Sequence, residues 1–164
     1  RQGGEAPEAR EGIELAVQCD DAAEVLLDRH RAVQIVTNLL ANARDALADA
    51  RGPRRVTLSA VRDDHDLQLS VRDNGSGIAV ENREKLFRYG FTTKRDGHGF
   101  GLHNGALLAQ EGGGSLRYEP ADGGGSIFTL TLPFKRIARR EGPARRDSMT
   151  QLARISALPA EPAA

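Results

Sequence analysis

The 164-residue chain is 39% hydrophobic and 28% charged, a balance typical of one globular domain with some additional tail. Its formal net charge is zero, which gives no electrostatic reason to expect binding to nucleic acid or to an anionic membrane. The single cysteine, Cys19, excludes an internal disulfide, and its strand-like surroundings predict a buried thiol. No apolar run is long enough to span a bilayer, and we expect no signal peptide. Because the first residue is Arg rather than Met, we expect a segment of a longer protein.

Hydropathy patterns and turn residues predict one folded α/β domain at residues 13–134. Residues 1–12 are polar with Gly and Pro, and are predicted to be a linker. Residues 135–164 are rich in Arg, Ala and Pro, which predicts a flexible tail; one amphipathic turn around Leu152 that docks on a partner is the alternative. Strands are predicted at 13–19, 25–27, 55–62, 66–73, 115–119 and 126–133, and helices at about 29–50, 80–87 and 100–110.

The first predicted helix carries a polar stripe at one-turn spacing. Asn38, Asn42 and Asp45 share one face because residues three and four apart on a helix are neighbours. Oxygen donors that face a cavity suit a hydrated Mg2+ ion, but solvent-facing asparagines would explain the stripe equally well. The predicted apolar stripe comprises Val33, Val36, Leu40, Ala43 and Leu47.

Asp73 falls in phase with the inward set of its predicted strand. Leu67, Leu69 and Val71 alternate along the strand, so Asp73 is expected on the same face. A carboxylate on that face needs a hydrogen-bond donor. The exocyclic amine of a purine and the backbone of the following turn are both candidates.

Two glycine-rich segments suggest close contact with a ligand. Gly75 and Gly77 permit backbone to approach a flat ring, with Ile78 behind them as an apolar surface, although a hairpin turn also explains them. Gly97–Leu102 opens the last helix, where free N–H groups and the helix dipole favour an anion. Immediately before it lie hydroxyls and cations suited to phosphates: Thr92, Thr93, Lys94 and Arg95.

Five motifs occur in one order along the chain. They are N-L-L-A-N-A-R-D-A at 38–46, D-N-G-S-G-I at 73–78, L-F-R-Y-G-F-T-T-K at 86–94, G-H-G-F-G-L at 97–102 and G-G-G-S-I-F-T-L-T-L-P at 123–133. Together they resemble the asparagine box, first glycine box, phenylalanine box, second glycine box and final strand of the catalytic ATP-binding domain of bacterial sensor histidine kinases. The resemblance covers about residues 13–134.

The resemblance implies the Bergerat fold of the GHKL superfamily. This is a two-layer α/β sandwich, in which a mixed, mostly antiparallel sheet of about five strands is covered on one face by three helices. The implied ligands are ATP and Mg2+. Asn42 would bind the metal, Asp73 would accept from the adenine amine directly or with a water, and Ser126 would reach Asp73 through water. Thr92–Lys94 and Gly97–Leu102 are expected to form a lid and a phosphate cradle. Phe87 and Phe91 are expected to anchor this lid rather than to touch the nucleotide. The implied nucleotide-binding set is Asn38, Asn42, Asp45, Asp73, Gly75, Gly77, Ile78, Thr92, Thr93, Lys94, Gly97, His98, Gly99, Phe100, Gly101, Leu102 and Ser126.

The residue at position 38 indicates the branch of the superfamily. Branches that hydrolyse ATP or phosphorylate serine carry Glu there as general base, whereas the amide of Asn38 cannot take a proton at neutral pH. No general base is therefore assigned, and transfer to a neutral imidazole is favoured because phosphoryl transfer depends mainly on positioning and charge neutralisation. Related kinases carry Lys or Arg at the position of Asp45, so one positive charge near the phosphates is missing here. Lys94 or Arg95 is expected to supply it.

The phosphoacceptor is expected outside this chain, because none of its four histidines lies on an upstream helix. The resemblance implies a histidine-containing dimerisation domain of the same protein, a downstream response regulator and no nucleic acid partner. We expect a monomeric fragment of a homodimeric two-component kinase, from the cytoplasmic portion of a soluble or membrane-anchored sensor. The alternatives are a nucleotide-sensing or degenerate binding module without kinase activity and a hydrolytic ATPase, against which Asn38 argues.

Overall fold

The computed structural model describes residues 12–19, 25–95, 97–136 and 151–153. Their elements agree closely with the predicted order. The strands are β1 (Ile13–Cys19), β2 (Val25–Leu26), β3 (Arg54–Arg62), β4 (Asp66–Asp73), β5 (Ser115–Pro120), β6 (Ser126–Pro133), β7 (Lys135–Arg136) and β8 (Gln151–Ala153), and the helices are α1 (Arg29–Ala46), α2 (Val80–Arg83) and α3 (Gly101–Glu111).

The main sheet is mixed, with the strand order β5-β6-β4-β3-β1-β8. β1 and β3 are parallel, and the connection between them contains α1, as a parallel pair requires a crossover. The other neighbours in this sheet are antiparallel, including the predicted β3–β4 hairpin. At its turn, the Asp63 carboxylate accepts the backbone N–H groups of His65 and Asp66 at 2.8 and 2.7 Å. The predicted fold class is confirmed, and β2 and β7 add a small second sheet.

The core lies between the sheet and helices α1 and α3, which also pack against each other. α1 begins after Asp28, whose carboxylate accepts the backbone N–H of Arg31 at 3.1 Å as an N-cap. The buried cluster comprises Ala32, Ile35, Leu39, Ala43, Leu47, Val56, Val71, Ala109, Leu116, Phe128, Leu130 and Leu132. Burying these apolar side chains supplies the main favourable free energy of folding.

The apolar stripe predicted for α1 is wrong at its N-terminal half. Val33 is 54% exposed, whereas Ile35 and Leu39 are 0% and 1% exposed. Neighbouring helix positions differ by about 100° in direction, so packing against the sheet and α3 selects among similar apolar residues. The other predicted positions are buried or partly buried: Val36, Leu40, Ala43 and Leu47.

α1 also ends four residues before the predicted boundary, at Ala46. The N–H of Leu47 bonds to the carbonyls of Ala43 and Arg44, each at 3.2 Å, which tightens the last turn. The carbonyl of Ala46 instead accepts the N–H of Ser76 at 3.1 Å. A tertiary hydrogen bond to Ala46 therefore marks the end of the helix, ahead of the predicted boundary near residue 50.

The prediction of a buried thiol at Cys19 is wrong, because this side chain is exposed. Cys19 is the last residue of β1, and the helices pack chiefly over β3, β4, β5 and β6. The segment predicted as a tail is described only at 135–136 and 151–153, where β7 pairs with β2 and β8 pairs with β1. The rest of that segment and the predicted linker, apart from Gly12, lie outside the described residues.

Candidate functional site

A cavity of about 490 Å³ lies beside α1, the turn after β4 and the segment that leads into α3. Every residue of the predicted nucleotide-binding set lines it except Asn38 and Gly75. Asn38 is half-buried on α1, one turn before Asn42. The lining comprises Asn42, Asp45, Ala46, Asp73, Ser76, Gly77, Ile78, Leu86, Phe91, Thr92, Thr93, Lys94, Gly97, His98, Gly99, Phe100, Gly101, Leu102, Ser126 and Phe128.

Asp73 is a buried carboxylate in the wall of this cavity. It is 3% exposed, its Oδ1 accepts the backbone N–H of Gly75 at 2.9 Å, and the backbone N–H of Ser126 also donates to it. Burial raises the pKa of the Asp73 carboxyl, and the two N–H groups offset only part of that rise. A carboxylate has about four acceptor positions, so these two bonds leave capacity for a ligand donor.

The turn after β4 is held in place by one side chain and by its own backbone. Asn74 Oδ1 accepts the N–H of Arg55 at 2.7 Å, which ties the turn to β3. Ser76 donates its N–H to the carbonyl of Ala46, which ties the turn to α1. A Cβ on Gly75 would collide with that same carbonyl. Gly75 therefore shapes the site from behind, by allowing the turn to lie against α1.

The apolar wall next to Asp73 is supported from α2 and the sheet. Arg83 donates from Nε to the carbonyl of Ile78 at 3.1 Å, and its guanidinium carbon lies 6.0 Å from the centre of the Tyr118 ring. Tyr118 in turn contacts Phe128, with ring centroids 5.3 Å apart. Ile78 and Phe128 thus present fixed apolar surfaces to the cavity near a hydrogen-bond acceptor.

Another part of the cavity wall is formed by the glycine segment, Gly97–Leu102, and the start of α3. Among the described residues no side chain caps α3, whose N-cap is Phe100. The N–H groups of the first turn are therefore available to an anion, and the helix dipole favours one there. Gly99 has φ +72°, and a Cβ on it would collide with the backbone of Gly90. Only glycine fits this bend, which sets the approach to the helix.

Lys94 crosses the cavity from the lid loop, residues 91–95, to α1. Its Nζ donates to Asn42 Oδ1 at 2.9 Å and to Asp45 Oδ2 at 2.6 Å. Arg44 contacts the other carboxylate oxygen of Asp45 at 3.2 Å. Burial acts to raise the pKa of Asp45, but the hydrogen bonds and positive charges of Lys94 and Arg44 together lower it. The side chains predicted to bind the metal and to replace the missing cation are thus brought together.

The aromatic residues near the lid have separate positions. Phe91 lines the cavity, whereas Phe87 packs against the core. Tyr89, which is 72% exposed, lies 5.0 Å from Phe100 and 5.4 Å from His103 between ring centroids. The Nδ1 of His103 hydrogen-bonds to the carbonyl of Phe87 at 2.9 Å. These contacts join the phenylalanine box to the start of α3.

Five lining residues were outside the predicted set: Ala46, Ser76, Leu86, Phe91 and Phe128. Ser76 lies inside the D-N-G-S-G-I motif, and strand alternation puts Phe128 in phase with Ser126, so both carried a usable signal. Ala46 and Leu86 also belong to quoted motifs, but their place in the wall depends on where α1 ends and how the chain after α2 packs.

The described residues lack the features of two other kinds of site. No three His, Cys, Asp or Glu side chains lie close enough there to hold a metal ion, so a metal would need other oxygen donors. No helix in the same ranges combines the length and apolar character needed to cross a membrane. His30, His65 and His98 are exposed.

Known proteins resemble this chain in sequence. The family model described as histidine kinase-, DNA gyrase B- and HSP90-like ATPase matches residues 27–136. The chain is 36% identical over 121 residues to nitrogen regulation protein NtrY of Azorhizobium caulinodans, covering 71% of this chain. It is 32% identical to sensor protein FixL of Bradyrhizobium diazoefficiens and 35% identical to sensor histidine kinase ZraS of Escherichia coli, over 79% and 74% of this chain. It spans only 15%, 26% and 25% of these relatives' own lengths.

Solved structures show the same likeness. The catalytic domain of histidine kinase ThkA superposes with a TM-score of 0.65 and 28% identity, over 74% of this chain and 80% of that one. The mycobacterial sensor histidine kinase MprB gives 0.63 and 26% identity, over 78% and 86%. Full-length ShkA in complex with AMPPNP gives 0.66 and 30% identity, over 78% of this chain and 27% of that one.

Proposed function

The chain belongs to the histidine kinase-, DNA gyrase B- and HSP90-like ATPases, as a catalytic domain of the sensor histidine kinase type, and we propose how it works. It binds Mg-ATP in the cavity beside α1, with adenine next to Asp73 and the phosphates next to the glycine segment. It then donates the γ-phosphoryl group to a histidine on a dimerisation domain outside this chain. The observation that carries the proposal is the buried carboxylate of Asp73, oriented by two backbone N–H groups, in the wall of a cavity that the uncapped N-terminus of α3 also lines.

The adenine end is supported by the chemistry around Asp73. Two backbone N–H groups orient its carboxylate, and acceptor capacity is left for the exocyclic amine of a purine. Ile78 and Phe128 supply apolar surface in the wall of the same cavity. A site built to accept from an amine discriminates against a base that lacks one, because the buried carboxylate would then lose that bond.

The phosphate end is supported by backbone N–H groups and by the lid loop. The uncapped first turn of α3 provides donors and a positive dipole end. Thr92 and Thr93 line the cavity with hydroxyl groups, and Lys94 adds a positive charge. Together these groups offset part of the negative charge of a triphosphate and position its terminal phosphorus.

The residues present fit a magnesium ion. Asn42 Oδ1 and Asp45 Oδ2 already hold one cation, the Lys94 ammonium, and oxygen donors of this kind suit Mg2+. Asn42 is the residue that would hold the metal. When bound, Mg2+ neutralises phosphate charge and orients the triphosphate.

Asn38 explains the choice of transfer over hydrolysis. Its amide lies one turn before Asn42 and cannot remove a proton from water or from a serine hydroxyl. A neutral imidazole needs no such base. Its nitrogen forms a bond to the γ-phosphorus, the bond from that phosphorus to the bridging oxygen breaks, and ADP leaves with the electron pair.

The first test is nucleotide binding by the 164-residue chain, measured by calorimetry with and without Mg2+. Asp73→Asn is expected to weaken ATP binding by about ten- to a hundredfold, since a hydrogen bond to a charged group contributes roughly 1.5–3 kcal/mol. Asp122→Asn, in an exposed loop, is the matched control and should bind as wild type. Unchanged affinity in Asp73→Asn, with the fold intact by circular dichroism, contradicts the adenine assignment.

The second test is phosphoryl transfer. Mixing this chain with the dimerisation domain of its parent protein and γ-labelled ATP should give an acid-labile phosphohistidine on the added domain. ATP binding without labelling would instead favour the nucleotide-sensing alternative. Rapid phosphate release by this chain alone would favour a hydrolytic ATPase.

A further inference from the structure

Two oxygen atoms on α1 converge on one positively charged group. Asn42 and Asp45 are three residues apart and therefore share a helix face. Asn42 Oδ1 and Asp45 Oδ2 both accept from the Nζ of Lys94, at 2.9 and 2.6 Å. The geometry is that of a cation bound by an amide oxygen and a carboxylate oxygen, with an ammonium group as the cation.

The lid loop is shaped to bring Lys94 to this point. The N–H of Lys94 donates to Thr92 Oγ1 at 3.1 Å, and the N–H of Gly97 donates to the Lys94 carbonyl at 3.3 Å. A Cβ on Gly97 would lie 2.5 Å from Thr92 Oγ1 and 3.0 Å from Lys94 Cβ. The compact turn therefore depends on glycine, and it fixes Lys94 opposite α1.

We propose that Asn42 and Asp45 form a two-oxygen cation site that Lys94 occupies in the nucleotide-free domain and that Mg2+ takes over when ATP binds. Asp45 is then the second protein oxygen donor of the magnesium site, and Lys94 is a competing cation that moves to the phosphates on exchange. This inference rests on the proposed function, because it assigns further residues to the same site.

The contact is suited to exchange because it is accessible to water. The side chains of Lys94 and Asp45 are 43% and 36% exposed, and ion pairs with such exposure contribute little to stability. A divalent cation is attracted about twice as strongly by the same carboxylate at the same distance. When the metal replaces the Lys94 ammonium, that ammonium pairs with a phosphate instead of with Asp45. Lys94 therefore keeps a negatively charged partner.

The charge of Asp45 gives the site a preference for metal-bound nucleotide. Without a cation between them, the Asp45 carboxylate and a phosphate repel each other. ATP that lacks Mg2+ would therefore have to share Lys94 with Asp45. Asp45→Asn keeps the size of the side chain and removes the repulsion, so it should improve binding of metal-free ATP while weakening the gain from Mg2+.

The decisive experiment measures metal and lid without any nucleotide. Mn2+, which prefers the same oxygen donors and is detected by electron paramagnetic resonance, is titrated into the 164-residue chain. Lys94→Met should raise Mn2+ affinity by about fivefold or more, because a competing charge leaves the site. Asp45→Asn should lower Mn2+ affinity. Both variants should accelerate amide hydrogen exchange in residues 91–95, and the double variant should add little to either one.

Arg95→Met is the matched control, since it removes a positive charge from the same loop without removing the Lys94 contacts. An equal rise in Mn2+ affinity in Arg95→Met and Lys94→Met overturns the proposal. The rise would then come from removing any positive charge from the loop, and not from freeing the site that Lys94 occupies. Wild-type Mn2+ affinity in Asp45→Asn overturns it as well. ADP binding in the presence of EDTA is measured in parallel, because it depends on Asp73 rather than on a metal ion. If the chain does not bind ADP, the proposed function is contradicted, whatever the Mn2+ affinities are.

Discussion

Gly75 lies directly against the carbonyl oxygen of Ala46, so that the turn after β4 packs on the last residue of α1. The same carbonyl accepts the N–H of Ser76 at 3.1 Å. This one contact joins the helix that carries Asn42 to the turn that follows Asp73. The proposed adenine and magnesium positions are therefore set relative to each other by backbone packing.

Gly75→Ala is expected to destabilise the domain by about 1–3 kcal/mol, the usual cost of forcing an extra group into a packed region. It should also weaken ATP binding, because the turn must move away from α1. Gly52→Ala is the matched control: nothing lies within 4 Å of its Cβ position. Urea unfolding and calorimetry measure the two effects, and equal behaviour of the two variants contradicts the role given to Gly75.

Asn42→Ala is expected to reduce the gain in ATP affinity that Mg2+ provides by at least about tenfold, because the proposed metal ligand is lost. Binding of ADP in EDTA should change much less. Thr37→Ala, on an exposed position of α1, controls for effects on the helix. The comparison is made by calorimetry at several Mg2+ concentrations, and a full Mg2+ effect in Asn42→Ala would exclude it as the ligand.

The buried Asp73 predicts a pH dependence of stability. Burial raises its pKa in the folded state above the ordinary value of 3.8. At a pH between the unfolded-state pKa and the higher folded-state pKa, the folded chain keeps a proton that the unfolded chain has released. The free energy of unfolding of the wild type therefore falls as pH rises through this window. Asp73→Asn has no such proton to lose.

The measurement is urea unfolding of both proteins from pH 3.8 towards neutrality. The stability of wild type relative to Asp73→Asn should decrease with rising pH and then become constant above the folded-state pKa. Parallel profiles across the whole range would show that Asp73 does not have a raised pKa.

The corrected apolar face of α1 is tested by two alanine substitutions. Ile35→Ala should destabilise the domain by about 2–5 kcal/mol, because Ile35 is fully buried in the core. Val33→Ala, at a 54% exposed position, should change stability by less than about 0.5 kcal/mol. Unfolding free energies measured in urea give both values. A larger effect at Val33 than at Ile35 would support the apolar stripe that the spacing predicted.

Much of the fold and of the site was predictable because it depends on local pattern. Alternation along β4 placed Asp73 on the buried face, and the structure has it 3% exposed. Helical spacing put Asn42 and Asp45 on one face, where they contact the same ammonium group. Strand and helix bounds followed from periodicity and turn residues, with errors of a few residues.

Only the tertiary structure decided the features that join distant segments. The sequence offered two cations as substitutes near Asp45, and the lid loop delivers Lys94, 49 residues away along the chain. Periodicity indicated a longer α1, but a hydrogen bond from Ser76 takes the carbonyl at Ala46. Alternation suggested a buried Cys19, whereas the helices pack chiefly over other strands. Local pattern determines which way a side chain points; what meets it there is determined by how the layers pack.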